Sequence, residues 1–376
     1  MRTTLKNLLP GLFFLLLTGT SIYLVSQRLH SDGWLSPDFS GNRHKAMYYD
    51  KLANQMVQCR LCPSRCMLSP GQFGICKARK NINGDLYSMV YGKIGTVHVD
   101  PIEKKPFFHV LPSSKAFSIA TAGCNLHCLF CQNWELSQSF PDQISSIPMT
   151  PEQVVQSAIE TGSQSIAFTY NEPVINYEFM LETAKIARSK GIKSVVVSAG
   201  YIEAEPLREL LQYVDAYKVD FKAFNEEFYQ RLTGGHLADV LETMKIIRKS
   251  GVWLEVLTLL VPGQNDSETE TRSLAQWIKT NLGDDVPLHF SRFFPQYKLR
   301  NSPPTPVETI IRARSIAMAE GLKYVYTGNV AFPDGEATYC PGSHQKVIER
   351  IGHAVISNKL KNGECPDGEK IPGIWK

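Results

Sequence analysis

Residues 123–134 read GCNLHCLFCQNW and place Cys124, Cys128 and Cys131 within eight positions, in a chain of 376 residues that holds nine cysteines. Thiols two or three residues apart suit a metal ion or an iron–sulfur cluster better than a disulfide framework, which disperses its cysteines. Three thiolates can hold three irons of a cubane cluster and leave the fourth open to another ligand, as a catalytic zinc site keeps one position free. The plainer reading, a zinc knuckle or buried thiols, weakens once the context of the stretch is considered.

Strand-length apolar runs occur at 117–121, 165–169, 193–198, 216–221, 253–261, 287–293 and 324–327. Helical patterns lie between them. TPEQVVQSAIETG has Thr150 as N-cap, Pro151 at the first helical position and Gly162 at its end. NYEFMLETAKIARSKG, HLADVLETMKIIRKSG and TPVETIIRARSIAMAEG close in the same way on Gly191, Gly251 and Gly321. This alternation predicts an α/β fold with a parallel sheet, either a complete or partial barrel or an open doubly wound sheet. In a parallel barrel the chemistry sits on the loops at the C-terminal ends of the strands. The cysteine loop follows the first run and Tyr170, Asn171 and Glu172 follow the second. Ser198, Asp220 and Thr258 end the next three, and the sixth carries His289 and Arg292. All are expected at one mouth.

A second group, CRLCPSRCMLSPGQFGIC, contributes Cys59, Cys62, Cys66 and Cys76. Four thiols can satisfy a metal completely; their spacing does not separate a structural zinc site from an auxiliary iron–sulfur cluster, and free thiols are the remaining reading. The remaining cysteines are Cys340 and Cys365.

Composition sets outer limits. A hydrophobic fraction of 43% and a charged fraction of 20% are ordinary for a globular protein with a sizeable core. The formal charge of +4 is small, and no basic and aromatic cluster marks a nucleic-acid surface. Residues 8–25, LLPGLFFLLLTGTSIYLV, carry no charge and follow Arg2 and Lys6. They are read as a membrane anchor, with a cleaved signal as the alternative. Closely spaced thiols need a reducing compartment, so the expectation is an anchored protein with its catalytic domain in the cytoplasm. Residues 26–46 lack periodicity and are read as a linker.

CNLHCLFC has the CxxxCxxC pattern, with Phe130 before the last cysteine, and in this the chain resembles the radical S-adenosylmethionine (SAM) enzymes. DPIEKKPFFHVLPSSKAFSIATAGCNLHCLFCQNWELSQ, AFTYNEPVINYEF, VDAYKVDFKA, PLHFSRFFPQYK and YVYTGN narrow the resemblance. They are similar to the AmmeMemoRadiSam-system radical SAM enzymes, relatives of the pyruvate formate-lyase activating enzymes, and the likeness spans residues 48–375. It implies a partial (β/α) barrel at 109–330, a cysteine-rich segment at 47–108 and a C-terminal extension at 331–376. It further implies a [4Fe-4S] cluster on Cys124, Cys128 and Cys131, with Phe130 against the adenine of SAM. Asn171 and Glu172 would meet the methionine amino group, and Ser198 and Asp220 would lie near the ribose and carboxylate. The implied reaction is reductive cleavage of SAM followed by hydrogen abstraction from a substrate the sequence does not identify. The implied partners are a low-potential donor such as flavodoxin or ferredoxin, with Memo-like and AMMECR-like proteins. A glycyl-radical enzyme activase and a non-enzymatic metal-binding membrane scaffold are the competing classes.

Two stretches depart from the family pattern. Ser198, Ala199 and Gly200 stand where relatives read Thr-Asn-Gly. CPGSH and CPDGE keep Cys340 and Cys365 but lack the second thiol of each zinc-ribbon knuckle, so packing rather than a metal is expected to hold the tail.

Overall fold

An eight-stranded sheet organises the computed structural model, which describes residues 43–376. Its strands are β1 (Thr96–Pro101), β2 (Lys115–Ala120), β3 (Ser165–Phe168), β4 (Lys193–Ser198), β5 (Ala216–Asp220), β6 (Trp253–Leu260), β7 (Leu288–Arg292) and β8 (Val325–Gly328). Neighbours in the sheet are neighbours in the chain. All pairs from β2 to β8 are parallel, and β1 adds antiparallel to β2. A doubly wound sheet needs a reversal of strand order, and none occurs here. With β1 and β8 unpaired to each other, the result is a partial barrel.

Local chemistry sets the helices on this frame. In Pro151–Glu160 the Thr150 hydroxyl accepts from Gln153 N at 3.2 Å and the Gln153 side chain accepts from Thr150 N at 2.8 Å, a complete capping box. The helix Leu237–Ser250 stops at Gly251, whose φ of +84° only a residue without Cβ adopts freely. All seven expected strands are present within two residues of their predicted limits. The edge strand β1 was not anticipated, although TVHVD at 96–100 alternates polar and apolar residues as a half-buried strand does.

The cysteine-rich segment forms two small antiparallel sheets that lean on the barrel. Arg79, buried, pairs with Glu178 of the buried face of Tyr177–Ser189, and Glu178 also accepts from Met47 N at 2.7 Å. Backbone joins the two as well, through Glu203 N donating to Leu61 O at 3.0 Å.

The opposite end of the barrel is closed by the C-terminal extension. Leu111 N donates to Ile374 O at 2.7 Å and Ile374 N donates to His109 O at 2.8 Å, laying the tail across the base. Phe108, Tyr324, Tyr326, Val347 and Ile371 pack around Cys340 and Cys365, which form a disulfide. Packing therefore acts together with a cross-link that the sequence reading did not anticipate.

The expectation of a membrane-anchored protein is corrected. No helix among the described residues is long and apolar enough to cross a membrane. Residues 1–25, on which the anchor or signal reading rested, lie outside the described residues, as do residues 26–42 of the expected linker.

Candidate active site

The loop after β2 is held from three sides. Asn171 Nδ2 donates to Thr121 O at 2.7 Å and to Gly123 O at 2.8 Å, which uses both of its hydrogens. His127 N donates to Thr233 O at 2.7 Å and Leu129 N to Leu232 O at 2.9 Å. Those carbonyls belong to a π-helical turn, Tyr229–Thr233, of the kind that recurs at functional sites. Gly123 is at φ +96°, and a Cβ there would lie 2.4 Å from Cys76 O. The position therefore requires glycine for its dihedral and for the close approach of the cysteine-rich segment.

Cys124, Cys128 and Cys131 are all free thiols. Cys128 is buried, while Cys124 and Cys131 are partly exposed at the mouth. Leu126 N donates to Cys124 Sγ at 3.4 Å, and Cys131 Sγ lies 3.2 Å from Ser137 Oγ. Burial pushes the Cys128 thiol up to about 12 and the Cys124 thiol well above its ordinary range. A metal binding here must displace those protons.

Glu172 is the next residue inward. It is buried, accepts from Ser198 Oγ at 2.7 Å and Val174 N at 3.2 Å on Oε1, and accepts from Ala199 N at 2.8 Å on Oε2. Burial raises its pKa to about 7 against the pull of Ser198, these amides and the Lys222 ammonium. Ser198 and Ala199 are thus joined to Glu172, and one lone pair on Oε2 remains for a ligand. Tyr170, at φ +71°, leads into this turn, and its hydroxyl donates to Asp100 Oδ2 at 2.5 Å.

A charged row completes the mouth. Asp220 ends β5, with Lys218 Nζ 3.5 Å from Oδ1 and Lys222 Nζ 3.7 Å from Oδ2. These are ion pairs longer than hydrogen bonds, and Asp220 Oδ1 has no hydrogen-bond partner. Burial pushes Asp220 up, but the two ammonium groups outweigh it and hold the carboxyl below its ordinary value. Burial likewise opposes the charge on Lys222, and Asp220 with the Cys128, Cys131 and Cys124 sulfurs raises it. Lys218, fully buried, is lowered to about 8. Sequence reasoning named Asp220 and missed both lysines, although KVDFK sets three charges at every second position of a strand end, on one face.

Phe130 is buried with its ring 5.6 Å from that of Phe228, among the apolar residues beneath the loop. His289 does not reach the mouth. It is the second residue of β7, and its Nε2 lies 2.7 Å from Glu255 Oε2 near the base. Arg292 does lie at the strand end, where its Nε donates to Thr305 O at 2.6 Å. Thr258 is buried with an unpartnered hydroxyl.

Residues 118–275 match the Radical SAM superfamily. An uncharacterized protein of Methanocaldococcus jannaschii, MJ0808, is 46% identical over 330 residues, covering 87% of this chain and 98% of that protein. The pyruvate formate-lyase 1-activating enzyme of Escherichia coli is 22% identical over 219 residues, covering 54% of this chain and 89% of the enzyme. A radical SAM methyltransferase from Sphaerobacter thermophilus superposes with a TM-score of 0.45 at 16% identity, over 57% of this chain and 67% of that one. Three free thiols on the loop after the first parallel strand, beside an acidic group with an open lone pair, fit the cofactors of such enzymes. The chain belongs to the radical SAM superfamily, is homologous to the pyruvate formate-lyase activating enzymes, and is an enzyme of the class that works with a [4Fe-4S] cluster and SAM.

Proposed function

We propose that the protein cleaves SAM reductively and abstracts a hydrogen atom from a substrate bound at the barrel mouth. The observation that carries the reading is the set of three free thiols, Cys124, Cys128 and Cys131, enclosed by Glu172, Asp220 and Lys222. These thiols would hold the [4Fe-4S] cluster. When bound, the cluster and SAM supply a 5'-deoxyadenosyl radical. Lys222 offsets negative charge gathered on the thiolates. Glu172 offers its remaining Oε2 lone pair to the methionine ammonium, and Ser198 keeps that carboxylate in place. Asn171 acts as a positioning residue, because its amide holds the cysteine loop instead of facing the ligand. Asp220 Oδ1, lacking a hydrogen-bond partner, is available to a cofactor hydroxyl or amine. Phe130 supports the loop from below and bounds the adenine side.

A flavodoxin- or ferredoxin-type donor would deliver the electron, and the AmmeMemoRadiSam resemblance adds Memo-like and AMMECR-like proteins as partners. Homology to an activating enzyme favours a second reading, in which the hydrogen comes from a protein glycine. Anaerobically reconstituted protein with a strong reductant is expected to release 5'-deoxyadenosine and methionine in equal amounts. With deuterated candidate substrates, deuterium in the 5'-deoxyadenosine identifies the hydrogen donor. Failure of the iron-loaded protein to cleave SAM would overturn the proposal.

A further inference from the structure

The N-terminal thiols Cys59, Cys62, Cys66 and Cys76 line one cavity with Arg79 and Asn125. All four are free. A Cβ built on Gly74 would lie 3.6 Å from Cys76 Sγ and 3.8 Å from Cys66 Sγ, so two of the sulfurs flank one point of the backbone. Arg79 Nη1 is 3.7 Å from Cys59 Sγ, and its Nε has no hydrogen-bond partner. Asn125, buried, presents an Oδ1 that likewise has none. Four thiols and orphaned polar atoms around one cavity suit a metal centre, and the sequence left zinc and an iron–sulfur cluster open.

The spread of the sulfurs separates the alternatives. Tetrahedral zinc with Zn–S near 2.3 Å draws its four thiolates to about 3.8 Å from one another. Among the described residues, the group of three ligand atoms lying within 4.8 Å of one another is Cys340, Cys365 and Asp367, where the two sulfurs are already bonded. The N-terminal thiols share a cavity, but no three of their sulfurs lie within 4.8 Å of one another. The same is true of Cys124, Cys128 and Cys131, in a family that places a cubane cluster there. A cubane holds each thiolate on a different iron at a different corner, and so requires the wider set.

We propose that Cys59, Cys62, Cys66 and Cys76 bind a second iron–sulfur cluster, which takes one electron from a flavodoxin- or ferredoxin-type donor and passes it to the site on Cys124, Cys128 and Cys131. The two centres adjoin. Asn125, next to Cys124, forms a wall of the N-terminal cavity, and Cys76 O touches Gly123. The outer edge, at the exposed Ile75 and partly exposed Cys66, faces solvent. An electron entering there leaves toward the inner site, and the outer centre returns to its starting state.

The test is anaerobic preparation of the Cys124→Ala, Cys128→Ala, Cys131→Ala triple variant, with iron, sulfide and zinc counted and the reduced protein studied by electron paramagnetic resonance. The expected result is about four irons and about four sulfides per chain, with a cluster signal on reduction. One zinc with no sulfide would overturn the proposal and leave the function proposed for the barrel mouth standing. So would a triple variant that folds and carries no metal. As a second arm, Cys59→Ser with Cys62→Ser should halve the iron of the parent protein and slow SAM cleavage at least tenfold when reduced flavodoxin is the donor. Halved iron with the parent rate would overturn the relay. If this variant does not fold, the triple variant decides.

Discussion

The two ends of the barrel use the same kinds of side chain for opposite purposes. At the base, Glu255 accepts from the amides of Phe108 and His109 at 3.1 and 2.9 Å and pairs with His289, while His109 sits between Tyr326 OH at 2.7 Å and Pro372 O at 2.8 Å. Phe108 and the C-terminal tail seal this network. At the mouth, Asp220 and Lys222 pair loosely and Asp220 Oδ1 has no hydrogen-bond partner. The Glu255 network satisfies its own buried polar groups, although Arg350 Nε and Glu103 Oε2 beside it have no hydrogen-bond partner, whereas the site that receives a ligand keeps such capacity on the residue that ends a strand.

The largest effect is expected at the mouth. Cys124→Ala should bring SAM cleavage to background, since two thiolates cannot hold three irons. A parent rate of 5'-deoxyadenosine release would end the distinction between the two ends. Glu255→Ala should do the reverse, lowering stability by about 3–5 kcal/mol because it strips one partner from a buried pair. Iron bound per folded chain should remain at the parent value, and a denaturant titration with an iron assay reads both. Cys340→Ser should cost about 3 kcal/mol, as expected for opening a loop of 25 residues, with the mouth unaffected. A melting temperature equal to the parent's under oxidising conditions would remove the cross-link from the account.

Smaller effects sharpen the contrast. Glu172→Ala should retain the iron and weaken SAM binding by about 1.5–3 kcal/mol, read by equilibrium dialysis. Unchanged affinity would confine Glu172 to holding Ser198 and Ala199. At the base, burial lowers the pKa of His109 to about 4, against about 6.5 in an unfolded chain. The unfolded state therefore takes up the proton first, and stability present above pH 6.5 is lost as pH falls toward 4, by at most about 1.4 kcal/mol per pH unit. His109→Gln should flatten that part of the stability profile relative to the parent, and an unaltered slope would assign the dependence to other groups.

The parallel strands were legible because they are buried on both faces and read as continuous apolar runs, and the helix Pro151–Glu160 carries a capping box at its start. The cysteine loop was legible because three thiols in eight positions are rare. Other features depend on contacts that spacing does not encode. His289 and Asp220 both fall on apolar strands, yet one is two residues into its strand and the other is at the end, and only the end reaches the mouth. The pairing of Cys340 with Cys365 joins residues 25 apart through a hairpin whose packing is tertiary. Likewise, the N-terminal thiols look like a separate unit in sequence, but Gly123 and Asn125 bring them against the barrel loop.

The shared wall has a consequence for synthesis. A nascent chain presents Cys59, Cys62, Cys66 and Cys76 to the cell well before Asn125 and Ile175, which close their cavity, have left the ribosome. During that interval the four thiols have no barrel behind them, and a competing metal or oxidant meets them unshielded. Loading of the proposed centre then depends on what reaches the thiols before translation has passed Ile175, so the rate of elongation across residues 77–175 sets how long they stand open to a competing metal.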